Sequence, residues 1–453
     1  MNISDIFINN LLRLAEQKVS DRIESHIRNS LLDYIGCAVA GSTMLQPQIE
    51  YFLESGVCSI GDCPVFGTDV KYSMKDAAFL NGIYSHVLEI DDGHRFATMH
   101  LAAPIFSALL AVCEKERLSY SDLIRGAIVG YETAIRLSIA MQPNHKKRGF
   151  HTTGTCGTIG VAMAVAFALK FDFSQVKTAL SAAVSSAAGV LEMLSDDSQL
   201  KPYNVGRAAM DGIQAAYVGK AGFESPNDPL MGKRGFFATM TDGFDIGVLE
   251  HFDYKNLYCI GSFFKPYAAC RHCHPAIEAS ILLKEELGDK LRIDEILSIK
   301  VKAYDLAIVG HDHISINGVN AAKMSIPYGV AVGLIEGHAG INDFNESVYC
   351  RPDVKKLTSK VSVEEDPELS ALIPNKRASI VEVVTTDACY IKRVDVAKGE
   401  PENPMTKVDI INKFYESTKF VGLSEVKSRT IVERVLSSDI TIAMFEMTKS
   451  IFV

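Results

Sequence analysis

Residues 154–169, GTCGTIGVAMAVAFAL, carry no charged side chain and little bulk. A helix without a polar face has to be enclosed by the rest of the protein. Its most apolar part, 159–169, is too short to cross a bilayer and therefore reads as a buried helix. Glycine lowers helix propensity, yet glycine and alanine let neighbouring backbones approach closely. Further helical pattern runs through 104–113, 122–141, 173–194 and 205–221. Two helices are predicted within 5–41 and another over 74–88, with a short helix and loops between 44 and 73. These segments imply a tightly packed all-helical body.

The character changes near residue 262. Apolar and polar residues alternate over 296–304, 378–385 and 389–396, which is strand pattern. Helices are predicted at 275–287 and 325–337, and a short strand–helix mixture over 348–362. Helical pattern returns over 406–453. The order implies a mainly α protein whose large helical domain is discontinuous and carries a smaller α+β insert.

The 453 residues carry a net charge of -9, with 47% apolar and 22% charged side chains. That balance suits a globular protein with a sizeable core and argues against a general nucleic-acid binder. The N-terminal stretch is charged throughout, so no secretory signal and no membrane attachment are expected. Ten cysteines without regular spacing fit reduced thiols in the cytoplasm.

Residues 86–100, HVLEIDDGHRFATMH, gather three histidines, three carboxylates, an arginine and a threonine between two apolar helical stretches. Such density is costly unless the groups are solvated, paired or used. A histidine can pass protons near neutral pH, and a carboxylate can set its tautomer. His100 falls at the entrance of the next helix. The plainer alternative is a solvated loop with an N-capping network.

Lys201 and Arg207 flank the start of another helix, after Asp196 and Asp197, and make either an anion site or a surface loop. Lys265 lies among aromatics in FFKPYAACRHCHP, where a lysine can hold a carboxylate. Cys270 to His274 also matches C-x-x-C-H. Haem attachment would need export, zinc a second ligand pair, and an iron–sulfur cluster a further cysteine. The plain reading of Cys270 and Cys273 is small buried residues on a turn entering a helix. His311 and His313 read as part of a polar loop, and His151 follows a basic turn from which it can reach a pocket. Nucleotide-binding glycine motifs and G-x-S-x-G are absent.

Six motifs in order resemble the MmgE/PrpD family, which includes 2-methylcitrate dehydratases, cis-aconitate decarboxylases and iminodisuccinate epimerases. They are Leu31-Leu32-Asp33-Tyr34-Ile35-Gly36; Asn81-Gly82 with His86 through His94; Phe150-His151-Thr152-Thr153-Gly154-Thr155; Lys201-Pro202 with Gly206-Arg207-Ala208-Ala209; Lys265-Pro266-Tyr267 with His274-Pro275-Ala276; and Gly399 through Thr406. The resemblance covers nearly the whole chain. It implies a helical domain over 1–264 and 404–453, an α+β lid domain over 265–403, a homodimer, and a metal-free, cofactor-free pocket between the domains for a small polycarboxylate.

By position, His100, Lys201 and Lys265 match family active-site residues, and Glu89 stands where decarboxylase-like members usually carry Asp. The implied catalytic set is His100, Lys201, Lys265, Glu89, Asp91 and Asp92, with Arg207, His151, Arg271, His274 and Tyr328 as substrate contacts. Dehydration, decarboxylation and epimerisation all remain open, as does a catalytically silent or metal-binding relative.

Overall fold

Helices begin where the sequence supplies caps. Asn2 accepts the Asp5 N–H at 2.8 Å ahead of α1 (Ile3–Glu16), and Ser20 caps α2 (Asp21–Gly41). The computed structural model describes residues 2–194, 198–437, 448–449 and 451–452. Asp196, Asp197 and part of the expected C-terminal helical stretch lie outside the described residues. The chain divides into two units, Met1–Phe263 with Lys407–Val453, and Phe264–Thr406.

The first unit continues through α3 (Gln46–Glu54), β1 (Ile60–Val65), β2 (Thr68–Tyr72), α4 (Met74–His86), β3 (Gly93–His94), α5 (Ala102–Glu116) and α6 (Tyr120–Met141). It then forms α7 (Thr152–Ala168), α8 (Phe173–Ser186), α9 (Lys201–Lys220) and β4 (Ser262–Phe263), with shorter helical turns between. Every residue of α7 is buried. A Cβ on Gly130 of α6 would lie 2.9 Å from the Gly160 carbonyl of α7, and one on Gly160 equally close to the Gly130 carbonyl. Gly82 of α4 and Gly206 of α9 meet in the same way, with 2.8 Å between the missing Cβ and the facing Cα. The small residues therefore set how near these helix axes come.

Three sequence expectations need correction. Residues 60–72 form an antiparallel hairpin, not loops, so the first unit is not wholly helical. Gly61 and Pro64 spoil the alternation that would have marked its strands, and the pairing is bulged. The helix expected over 173–194 stops at Ser186, and a 3₁₀ turn occupies Leu191–Leu194 beyond Gly189, whose φ is +137°. Helix α9 starts at Lys201, four residues before the predicted start, with Pro202 in its first turn where the missing N–H costs nothing.

The second unit contains α10 (His274–Leu287), β5 (Ile296–Ala303), α11 (Ile326–Glu336), α12 (Pro352–Thr358), β6 (Val361–Glu365), β7 (Ser379–Thr385) and β8 (Cys389–Val394). The sheet order is β6-β5-β7-β8, with β5 and β6 parallel and the other pairs antiparallel. Helix α10 packs on β7, β8 and α11. Residues of β7 are buried alternately, as its pattern required. The chain then returns to the first unit as α13 (Lys407–Phe420) and α14 (Glu425–Val435). Helix α13 lies along α2, where a Cβ on Gly36 would stand 3.2 Å from the Phe414 ring.

Candidate functional site

Helix α4 ends at His86, and the chain turns through Glu89 at φ +59°. Thr98 sits at φ +48°. Non-glycine residues hold that conformation only where the surroundings impose it, at a cost of about 1–3 kcal/mol each. Here the surroundings do impose it. Strand β3 pairs with β4, the His94 N–H reaches the Met99 carbonyl at 2.9 Å, and Ser138 donates to the Ala97 carbonyl at 2.5 Å. The His100 N–H donates to Thr153 Oγ1 at 3.0 Å. A Cβ at Gly93 would lie 2.7 Å from the Phe263 ring, so this strand pairing demands glycine there.

The loop so held carries an imidazole pair on one carboxylate. Asp91 Oδ2 accepts from His86 Nδ1 at 2.8 Å and stands 3.1 Å from His100 Nδ1. His100 Nδ1 is also 2.7 Å from the Asp92 backbone carbonyl. Both partners only accept, so the His100 proton resides on Nδ1 and the lone pair of the neutral ring on Nε2. The two rings lie 4.6 Å apart at 73°. Burial would raise the Asp91 carboxyl, but His100 and His86 outweigh it and hold Asp91 well below the usual carboxylate range. His86 Nε2 and Asp91 Oδ1 are buried and find no hydrogen-bond partner among the described residues. Atoms of this kind call for a polar ligand or water.

Asp92 faces the other way. Its Oδ1 accepts the Leu101 and Ala102 N–H groups at 3.1 and 2.9 Å, at the N-terminus of α5, and Oδ2 accepts the Tyr131 hydroxyl at 2.9 Å. Burial pushes its carboxyl up to about 6, against those bonds. It therefore positions the His100 segment.

Lys201, at the first position of α9, pairs with Glu89, and His86 Nε2 lies 3.9 Å from the same carboxylate oxygen. His151 Nδ1 is 2.6 Å from Asn204 Oδ1. Burial pushes that imidazole down to about 3, and Lys201, His86 and His100 push it the same way. Gly154 and Gly189 leave room for the Asn204 amide, which Cβ atoms would approach to 2.1 and 2.6 Å. The first unit thus brings together Glu89, Asp91, Asp92, His100, His151 and Lys201. Arg207 pairs with Asp211 and donates to the carbonyls of Ser186, the last residue of α8, and Ala188 just beyond it.

Sequence reasoning missed three members. Lys413 of α13 donates to Asp33 and to the Ile90 carbonyl, each at 2.5 Å, and so ties the loop to α2. Tyr131 and Asn204 orient Asp92 and His151. Each is a single polar residue on a helix, which pattern alone does not single out.

The ligating atoms of His86, Asp91 and His100 lie within 4.8 Å of one another, a spacing that also suits a metal ion. Both Nδ1 atoms stand at hydrogen-bond distance from the same oxygen, so an ion held through Nδ1 of either ring would have to displace that ring's proton. The donor set fits a carboxylate bridging two imidazoles.

In the second unit Lys265 is buried. Arg271 bonds Glu400 through Nε at 3.0 Å and donates to His274 Nδ1 at 2.6 Å, while His274 Nε2 donates to the Ala269 carbonyl at 3.1 Å. The Tyr328 hydroxyl donates to the Asp343 carbonyl at 2.5 Å. Cys273 is buried as expected, but Cys270 is half-buried and meets His311 Nε2 at 3.2 Å. His311 is therefore no free-standing loop residue; it is 6% exposed.

The MmgE/PrpD N-terminal domain model matches residues 10–249, and the MmgE/PrpD C-terminal domain model matches residues 267–438. The chain belongs to the MmgE/PrpD family. Among curated members, cis-aconitate decarboxylase of Homo sapiens is 26% identical over 94% of this chain and 90% of its own length. The cis-aconitate decarboxylases of Mus musculus and Aspergillus terreus are 22% and 25% identical over 96% and 94% of this chain, and 91% of their own length in each case. The MmgE/PrpD N-terminal domain holds the whole imidazole–carboxylate cluster with Lys201, while Lys265 falls in the interval before the C-terminal domain. Among the described residues, no helix is long and apolar enough to cross a membrane.

Proposed function

We propose that this MmgE/PrpD chain is a lyase that acts on a small di- or tricarboxylate by moving a proton α to a carboxylate, without a cofactor. The observation that carries the reading is the anchoring of His100 Nδ1 by Asp91 and the Asp92 carbonyl, which leaves Nε2 as the proton-transfer atom. Full-length similarity to cis-aconitate decarboxylases supports a lyase and a polycarboxylate substrate.

In the proposed chemistry a substrate carboxylate displaces Glu89 from Lys201. When the α-proton passes to His100 Nε2, Asp91 stabilises the imidazolium, and Lys201 stabilises the charge that spreads into the carboxylate. The electron pair left on carbon expels a β-hydroxyl in dehydration. In decarboxylation the pair comes instead from the C–CO₂ bond as carbon dioxide leaves, and a His100 that enters the step protonated on Nε2 donates that proton to the carbon. Return of the proton to the opposite face gives the epimerase alternative. Lys265, Arg271, His274 and Tyr328 of the second unit remain candidate substrate contacts.

The test is an NMR-monitored screen of citrate-like acids in deuterated water. Loss of a group with deuterium incorporation supports the lyase. Exchange with inversion and no loss of a group transfers the assignment to the epimerase. A colourless, folded protein that neither exchanges nor turns over any such acid overturns the enzyme reading in favour of a silent binding relative.

A further inference from the structure

Cys270 belongs to the second unit and has the surroundings of a reactive thiol. Its sulfur is 3.2 Å from His311 Nε2, and His311 Nδ1 is 2.9 Å from the Val309 carbonyl. The carbonyl only accepts, so the ring proton sits on Nδ1 and Nε2 presents its lone pair to the thiol. Nucleophile, base and orienting group are thus arranged in sequence, as in activated cysteines generally. The Cys270 N–H donates to the Lys323 carbonyl at 2.8 Å, which fixes the residue's backbone. The surroundings keep a protonated imidazole favourable: burial would lower the His311 pKa, but Cys270, the Val309 carbonyl and Asp312 together outweigh it and the net direction is up.

A second sulfur lies within reach. The Cys273 N–H donates to the Cys270 carbonyl at 2.9 Å, closing a turn at the start of the 14-residue helix α10. Such a turn brings the end Cα atoms within about 7 Å, and disulfides span about 4.4–6.8 Å. Cys273 is fully buried, and burial pushes its thiol well up, so it stays protonated while Cys270 is half-buried.

We propose that Cys270 is a peroxide-reactive modification site, with His311 as its base and Cys273 as the thiol that resolves it to a disulfide. His311 takes the Cys270 proton, and the thiolate attacks one oxygen of hydrogen peroxide. The S–O bond forms, the O–O bond breaks, and the departing hydroxide takes the proton from His311 to leave as water. Cys273 gives up its proton as its sulfur attacks the Cys270 sulfur; S–S forms, the S–O bond breaks, and the departing hydroxide takes that proton to leave as a second water. The two thiols together lose two electrons to one peroxide. An external dithiol restores them.

The chain carries its own controls, because Cys350 and Cys389 are more exposed than Cys270. Brief labelling of the whole protein with limiting iodoacetamide at neutral pH, read by peptide mass spectrometry, should modify Cys270 at least ~10-fold faster than either. His311→Gln should bring Cys270 down to their rate. After peroxide, the peptides on either side of Arg271 should be joined through Cys270 and Cys273, and Cys273→Ser should instead accumulate a dimedone-trappable sulfenic acid at Cys270. Labelling of Cys270 no faster than that of Cys350 and Cys389 overturns the activated thiol. Failure of peroxide to join the two peptides overturns the resolving role of Cys273.

Discussion

Asp91 and Asp92 are neighbours in the chain, both wholly buried, and driven in opposite directions. Two imidazoles hold Asp91 ionised far into acid, whereas burial lifts Asp92 to about 6. The first is set to stabilise a positive ring, and the second pins the end of a helix.

The sign of the Asp92 contribution to stability follows directly. An unfolded aspartate titrates near ~3.9, so from about pH 4 to pH 6 the folded protein holds a proton that the unfolded chain has lost. This stabilisation is full below pH ~4, falls as pH rises through 6, and totals about 3 kcal/mol. His151 works in the other direction, since a ring kept neutral down to about 3 loses stability as pH falls below ~6.5. Asp92→Asn still accepts the Leu101 and Ala102 N–H groups through Oδ1, turns the Tyr131 bond round so that the amide donates to the hydroxyl, and removes the aspartate titration. Urea unfolding of this variant between pH 4 and 6 should show stability rising more steeply with pH than in the parent. An unchanged slope would contradict the raised aspartate.

Asp91→Asn should fold but lose turnover. The amide cannot offset a positive His100, so kcat is expected to fall by about 10²–10⁴-fold with a small change in KM, as for loss of an orienting carboxylate in other acid–base sites. His100→Ala should cost a similar factor. Circular dichroism and steady-state kinetics on the substrate found by the screen check both, and near-parental turnover in either folded variant would remove that residue from the chemistry.

Glu89 and Lys201 yield opposed effects on anion binding. Lys201→Ala should weaken binding of citrate, used as a probe, by about 10–100-fold, the value of one hydrogen bond to a charged group. Glu89→Gln removes the internal competitor and should tighten citrate binding. Isothermal titration measures both, and a weaker complex with Glu89→Gln would show that the carboxylate belongs to the binding apparatus.

Lys413→Met should destabilise the protein by about 3–5 kcal/mol, because Asp33 is left buried without its counter-charge. Adding Asp33→Asn should recover part of the loss, which chemical denaturation of the single and double variants measures. Additive losses would show that the pair contributes nothing as a unit.

Much of this architecture was readable beforehand because it rests on periodicity. Helix α6 follows an apolar stripe, α7 has no polar face at all, and β5, β7 and β8 alternate. The 60–72 hairpin was unreadable because Gly61 and Pro64 interrupt its pattern. In the site, residues 86–100 announced themselves by density of charge, and His151 and Lys201 by their motifs. Lys413 did not, since one lysine on an amphipathic helix looks solvated until the helix is placed against Asp33. Arg207 was marked by its motif position as a ligand contact, and in the fold its guanidinium also pairs with Asp211 and bonds the carbonyls at the end of α8. Cys270 and His311 are 41 residues apart, and only the folded insert brings them together.

The Lys413–Asp33 contact also orders events on the ribosome. The partners are 380 residues apart, so at ~5–20 residues per second the aspartate waits about 20–80 s for its cation to be translated. Until α13 emerges, the loop bearing Asp91 lacks one of its ties, and a nascent chain stalled anywhere before residue 413 carries His86 and His100 without the strut that holds Ile90 in place. Newly made protein therefore gains this tie only once residue 413 has been translated, and products truncated before it should be silent in the proposed reaction however well their first helices have formed.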